Sequence, residues 1–212
     1  METKDLIKAI SCDAAAARRS FGTLLLAAFV VASVIAAIVF SIVAGPRADF
    51  AAAAETWRFL LKFVVTLALV GTTAALALSL ARPGARLGMR LGLLAVAPTI
   101  LLGAILVELT TIPSAEWATR LVGTNARICL TLIPLIGLGP LAVLLTAMRQ
   151  GAPTRPSLAG AACGLLAGGL AATLYAAHCF DDSPFFVATW YTLAIAILTA
   201  VGAIAGRYAL RW

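Results

Sequence analysis

FGTLLLAAFVVASVIAAIVFSIVA, residues 21–44, runs for twenty-four positions without a charged side chain. About 20 mostly apolar residues are enough for a helix to cross a bilayer. Backbone groups in lipid must be satisfied internally, so only helices and closed barrels can span it. The stretch shows no alternation of apolar and polar residues, which excludes a barrel strand and leaves a helix. It is too long for the core of a signal peptide, and further spans follow, so it is expected to be retained.

Outward from it, similar runs lie at 59–81, 91–109, 128–147, 158–177 and 186–207, separated by polar residues, Pro or Gly. The composition agrees: of 212 residues 62% are hydrophobic and 12% charged, with a mean hydropathy of +1.03. Soluble domains have about a quarter of their residues charged. The expected fold is all-α: a polytopic bundle of six transmembrane helices over 21–212, preceded by a short cytoplasmic amphipathic segment over 1–20. The net charge of +7 is spread in ones and twos beside apolar runs. A basic groove for nucleic acid would need those charges gathered, so no direct nucleic-acid contact is expected.

Lysine and arginine fall unevenly on the two sides of these spans. Eleven lie with residues 1–20, the second and fourth loops and the C-terminus, and five lie on the opposite side. The positive-inside rule then puts both termini in the cytoplasm of a bacterial inner membrane and the other face in the periplasm of a Gram-negative cell. Trp57, Trp117, Trp190 and Trp212 fall near span ends, where amphipathic rings prefer to sit.

Within the spans, Gly160, Gly164 and Gly168 repeat every fourth residue, which lets a neighbouring helix approach closely. Pro134 and Pro140 each remove a backbone donor from the fourth span, which should bend there and provide a hinge. Pro98 should bend the third span more mildly. Glu108, near an outer boundary, is expected to reach water.

The topology divides the four cysteines. Cys12 is cytoplasmic and Cys163 lies within the fifth span, whereas Cys129 and Cys179 face outward at similar depth. Cys179 lies in the run His178-Cys179-Phe180-Asp181-Asp182-Ser183-Pro184. Three readings fit this spacing. A structural disulfide could contribute about 3–5 kcal/mol by closing the loop. A redox switch would use His178 and Arg127 to favour a thiolate. A thiophilic metal site would use Cys129, Cys179 and His178, with an aspartate in support. At the other end of the chain, Leu6, Ile7 and Ile10 share one face of a helix over 1–20. That face suits membrane lipid or a groove on a cytoplasmic partner.

The opening Thr3-Lys4-Asp5-Leu6-Ile7 resembles the NrsF family of membrane-bound anti-sigma factors. So do Ala126-Arg127-Ile128-Cys129-Leu130 and Arg149-Gln150-Gly151-Ala152-Pro153, and most specifically the run from His178 to Pro184 followed by Trp190-Tyr191-Thr192. The resemblance implies a regulator, not an enzyme. Such a protein holds an ECF-type sigma factor at the membrane and releases it under oxidative or heavy-metal stress. It implies that Cys129 and Cys179 are the periplasmic sensing cysteines, with His178 and Asp181 in the same motif, and that residues 1–20 contact the sigma factor. No resident cofactor is expected; a thiophilic metal ion is expected only as an inducing ligand.

Two other classes fit the sequence less well. A small transporter or channel would place ionisable groups near the bilayer midplane, and the span centres carry none. A membrane thiol oxidoreductase would ordinarily use a Cys-x-x-Cys pair, and the chain contains none.

Overall fold

The computed structural model describes residues 3–4, 21–82 and 88–211. Leu6, Ile7 and Ile10 lie outside the described residues. Every regular element among the described residues is helical, and six segments are long and apolar enough to cross a membrane. Their helices are α1 (Phe21–Val43), α2 (Trp57–Leu80), α3 (Val96–Thr111), α4 (Ala126–Met148), α5 (Pro156–Ala176) and α6 (Thr192–Ala209). The fold class read from hydropathy is the fold observed.

α5 is the hub. In its apolar window 61% of residues are buried, against 17% for α1. It packs against α6, α2, α4 and α1, while α3 leans mainly on α2. Small side chains put it there. A Cβ on Gly160 would run into the Gly202 carbonyl and the Gly206 Cα, and one on Gly164 into the Leu198 carbonyl and the Thr199 Cα. Gly168 sits at the looser edge, where a Cβ would meet the Ile195 Cγ2 at 3.1 Å. Hydroxyls of Thr66, Thr73, Thr173 and Thr199 donate to carbonyls four residues back in their own helices, so they enter the apolar bundle satisfied.

The prolines act differently from one another. α4 continues as one helix through Pro134 and Pro140. The third span is interrupted rather than bent: Gly88–Leu93 stops, Leu94 N–H donates to the Leu91 carbonyl and Ala95 N–H to the Gly92 carbonyl, and α3 then begins. Pro98 lies in the first turn of α3. It cannot donate to the carbonyl of Leu94, four residues earlier, and its ring crowds that group. The break therefore falls one turn before the proline.

The sixth span has an irregular start. Pro184–Phe186 opens it, Val187–Tyr191 forms a π-turn, and α6 follows. Such turns carry i→i+5 hydrogen bonds and recur at functional sites. This one lies at the end of the bundle where loops 44–56, 112–125 and 177–183 gather, which we call the thiol end.

Candidate functional site

Cys129 sits in the first turn of α4, where its N–H donates to the Asn125 carbonyl at 2.8 Å. Cys179 follows the end of α5, with its N–H on the Tyr175 carbonyl at 3.0 Å. Both side chains are fully buried and both are free thiols. They lie near enough for charge on one to be felt by the other. Burial pushes the Cys179 thiol above its ordinary range, and the nearby Lys62 ammonium pulls it back. Its Sγ–H points at the Asp181 carbonyl, 3.7 Å away. Tyr175 and Tyr191 flank it, their ring centroids 5.7 Å apart. Both hydroxyls are buried, and neither has a hydrogen-bond partner of acceptable geometry among the described residues.

The two aspartates of loop 177–183 fasten it in two directions. The Asp181 carboxylate accepts from the backbone N–H of Asn125 at 2.8 Å and of Thr124 at 3.0 Å, and from Asn125 Nδ2 at 3.0 Å. It therefore pins the loop to the start of α4, where a helix favours negative charge. Gly123 makes room for this: its φ is +60°, and a Cβ there would strike the Phe186 ring and the Asp181 carboxyl. Asp182 reaches the other way. It pairs with the buried Lys62 of α2 and with Arg47 at 3.0 Å. Lys62 Nζ also donates to the Cys179 carbonyl at 2.9 Å. Arg47 in turn pairs with Asp49 at 2.6 Å and lies over the Phe180 ring at 4.5 Å. The guanidinium holds the Asp49 carboxyl below the usual carboxylate range, and its carboxylate partners raise Arg47 itself.

A second ionic group covers the opposite flank. Glu108, expected to reach water, is fully buried. It accepts from Arg58 Nε at 2.9 Å, lies 3.5 Å from Arg120 Nη1, and takes a long bond of 3.4 Å from the Ser183 hydroxyl. A buried carboxylate is strongly disfavoured unless paired, and these partners supply the pairing. Above them is an open cleft of about 450 Å³ whose lining includes Arg58, Arg120, Thr124, Asp181 and Asp182. A separate apolar cavity of about 530 Å³ lies between α2, α3 and α6, with Tyr191 in its wall.

Of the residues singled out in the sequence, Cys129, Cys179 and Asp181 come together. His178 turns away. Its Nδ1–H donates to the Gly45 carbonyl at 2.9 Å, helping to tie loop 44–56 to the end of α5. Arg127 is exposed, on the outside of the helix whose inner side carries Cys129. The cation beside the thiols is therefore Lys62. Among the described residues, no three His, Cys, Asp or Glu side chains stand close enough to hold a metal ion. The trio of Cys129, Cys179 and His178 is not gathered as a ligand set in this arrangement. Lys62, Arg47 and Tyr175 are not marked as site residues by the sequence reading, and Asp182 and Tyr191 stand there only as members of the motif, without the roles found here. A lysine and a glutamate inside apolar runs were the available signal, since each needs a buried partner.

Six helices long and apolar enough to cross a membrane, with a buried pair of thiols at one end of the bundle, define the class: an all-α helical bundle of polytopic type. Residues 11–212 match the model of the NrsF family, described as negative regulator of sigma F, and the chain belongs to that family. It is 36% identical to the anti-sigma-F factor NrsF of Caulobacter vibrioides over 219 residues, covering all of both chains. It is 37% identical over 158 residues to a protein of Azospira oryzae described as a probable anti-sigma-F factor NrsF, covering 71% of this chain and 70% of that one. No solved structure matches.

Proposed function

We propose that the protein is an inner-membrane anti-sigma factor, with both termini cytoplasmic, that holds an ECF-type sigma factor through residues 1–20 and releases it when the periplasmic pair Cys129 and Cys179 reacts. Membership of the NrsF family and the names of its relatives support the anti-sigma role. The observation that carries the sensing role is the pair itself: two buried free thiols, one at the start of α4 and one in the loop that Asp181 fastens to it and that Asp182 and Lys62 hold from the other side.

Oxidation takes one proton and one electron from each thiol and forms a Cys129–Cys179 bond. A peroxide accepts both electrons and both protons and leaves as water. Forming the bond reseats loop 177–183 on α4, and Pro134 and Pro140 give that helix a place to bend towards the cytoplasmic face. A thiophilic metal ion is the second way to engage the pair, and His178 would have to leave Gly45 to join it. The reaction need change sigma-factor affinity by only about 1–3 kcal/mol, a coupling typical of linked sites.

Replacing both Cys129 and Cys179 with serine should abolish induction of a sigma-dependent promoter by peroxide or a cadmium salt while repression persists. Undiminished induction would remove the sensing role. Pull-down of the intact protein in mild detergent should recover a sigma factor, and a form lacking residues 1–20 should not. Equal recovery by both forms would move the contact elsewhere.

A further inference from the structure

Lys62 is a fully buried cation in the second turn of α2. Burying an ammonium is costly unless it is paired and hydrogen-bonded. Its partners are the Asp182 carboxylate and the Cys179 carbonyl, and the Phe59 ring lies 4.9 Å from Nζ. Both polar partners belong to loop 177–183. Fastening that loop does not by itself call for a buried lysine, because Arg47 already pairs with Asp182. What Lys62 adds is positive charge near both sulfurs.

A second, independent feature points to the same atom. The hydroxyls of Tyr175 and Tyr191 are buried with no partner of good geometry, and the polar group within reach of both is the Cys179 sulfur. A buried hydroxyl without a good acceptor is costly, so two beside one sulfur call for an explanation. A neutral thiol is a weak acceptor. A thiolate is a charged one, and bonds to charged acceptors are the strong ones. In the resting protein these donors reach only a weak acceptor; once the sulfur loses its proton they have a strong one.

We propose that Lys62, Tyr175 and Tyr191 are the positioning residues of a thiolate site, arranged to receive negative charge on the Cys179 Sγ. The proposal rests on the reading of Cys129 and Cys179 as the reacting pair. The charged and titratable groups around Cys179 are Lys62 from α2, Asp181 from its own loop, Cys129 from α4, Tyr175 from α5 and Tyr191 from the π-turn, with Asp182 reached through Lys62 and Arg47 of loop 44–56 meeting the Cys179 carbonyl at 3.3 Å. Asp182 competes with the thiolate for Lys62, and Asp181 opposes the charge. His178 is committed to Gly45. Cys179 therefore becomes reactive when the hold of Asp182 on Lys62 loosens. Its proton passes to the water that reaches the opened loop.

The test is the pH profile of alkylation by iodoacetamide of the full-length protein in mild detergent, with Cys179 followed by peptide mass spectrometry. The sulfur displaces iodide, and its proton goes to buffer. Tyr175→Phe with Tyr191→Phe keeps ring volume and should move the midpoint to higher pH, slowing the reaction about tenfold below the midpoint for each unit moved. Lys62→Met should move it the same way and Lys62→Arg should largely restore it. Asp182→Asn, which frees Lys62, should move it to lower pH. If the three side chains only packed the loop, the tyrosine double variant would keep the wild-type midpoint. Lys62→Met would then label faster at every pH through a looser loop. Either result overturns the proposal. These profiles do not depend on promoter output, so failure of the sensing role and failure of the thiolate site are separable.

Discussion

The α5–α6 seam and the thiol end bring helices together by opposite means. At the seam, Gly160 and Gly164 press against Gly202 and Gly206 with backbone against backbone, and nothing charged takes part. At the thiol end, buried charges from α2 and α3 hold loops that arrive from elsewhere, Lys62 with Asp182 and Glu108 with Arg120, while Arg58 ties Glu108 back to α2. Close packing has one good arrangement, and any added atom spoils it. An ion pair has alternatives, because water, another ion or a new charge can replace either partner. The seam is therefore built to stay rigid, and the thiol end is the part whose contacts can be exchanged.

The seam should break first and hardest. Gly164→Leu places a branched side chain against the Leu198 carbonyl and should cost about 3 kcal/mol, the upper end for overpacking. Loss of detergent-soluble monodisperse protein, or a steep fall in Tm, would register it; a wild-type Tm would mean that the close approach is not needed. At the thiol end, Asp181→Ala removes the acceptor for Asn125 and Thr124 and should cost about 2 kcal/mol, as for bonds to a charged group. The same variant should speed labelling of Cys129 and Cys179 by a membrane-impermeant maleimide, which Gly-seam variants that still fold should not do. Gly168→Ala sharpens the contrast from the other side. Ile195 Cγ2 is the end of a side chain that can shift, and alanine favours helix, so Tm should change by less than about 1 kcal/mol equivalent.

The smallest effect expected is on pH. Burial raises Cys179 above an ordinary thiol, so the folded state favours the protonated form. The stability this contributes is fully present below the unfolded thiol value, and it is lost as pH rises through the higher folded one. Tm measured from pH 7 to pH 10 should fall at the alkaline end, and Cys179→Ser should flatten that fall.

Much of this contrast was readable from residues in order. Glycines at every fourth position in α5 and at Gly202 and Gly206 in α6 mark surfaces without side chains, and a bundle has few other uses for them. The six spans stand out because hydropathy sums over some twenty residues, and local errors cancel. The convergence of Cys129 and Cys179 followed from counting crossings. The partners of the charges were not readable. Lys62 and Asp182 lie on different spans and loops, and hydropathy records each only as a cost, without saying what offsets it. The turning of His178 towards Gly45 depends on where loop 44–56 folds back, which no spacing encodes. The π-turn was hidden too, since Val187-Ala188-Thr189-Trp190-Tyr191 suits an ordinary helix equally well.

That π-turn has a further effect. A π-turn accommodates one residue more than the α-helical turn it replaces, and one residue in an α-helix corresponds to about 100° of rotation. The extra residue at Val187–Tyr191 thus sets the angular phase of all that follows, including the direction in which Gly202 and Gly206 face. Trp190 Nε1 locks the phase by donating to the Leu121 carbonyl at 2.8 Å. Deleting one residue from the turn would swing the glycines of α6 off the groove in α5, so this single turn acts as the index pin for a helix reaching the opposite end of the bundle.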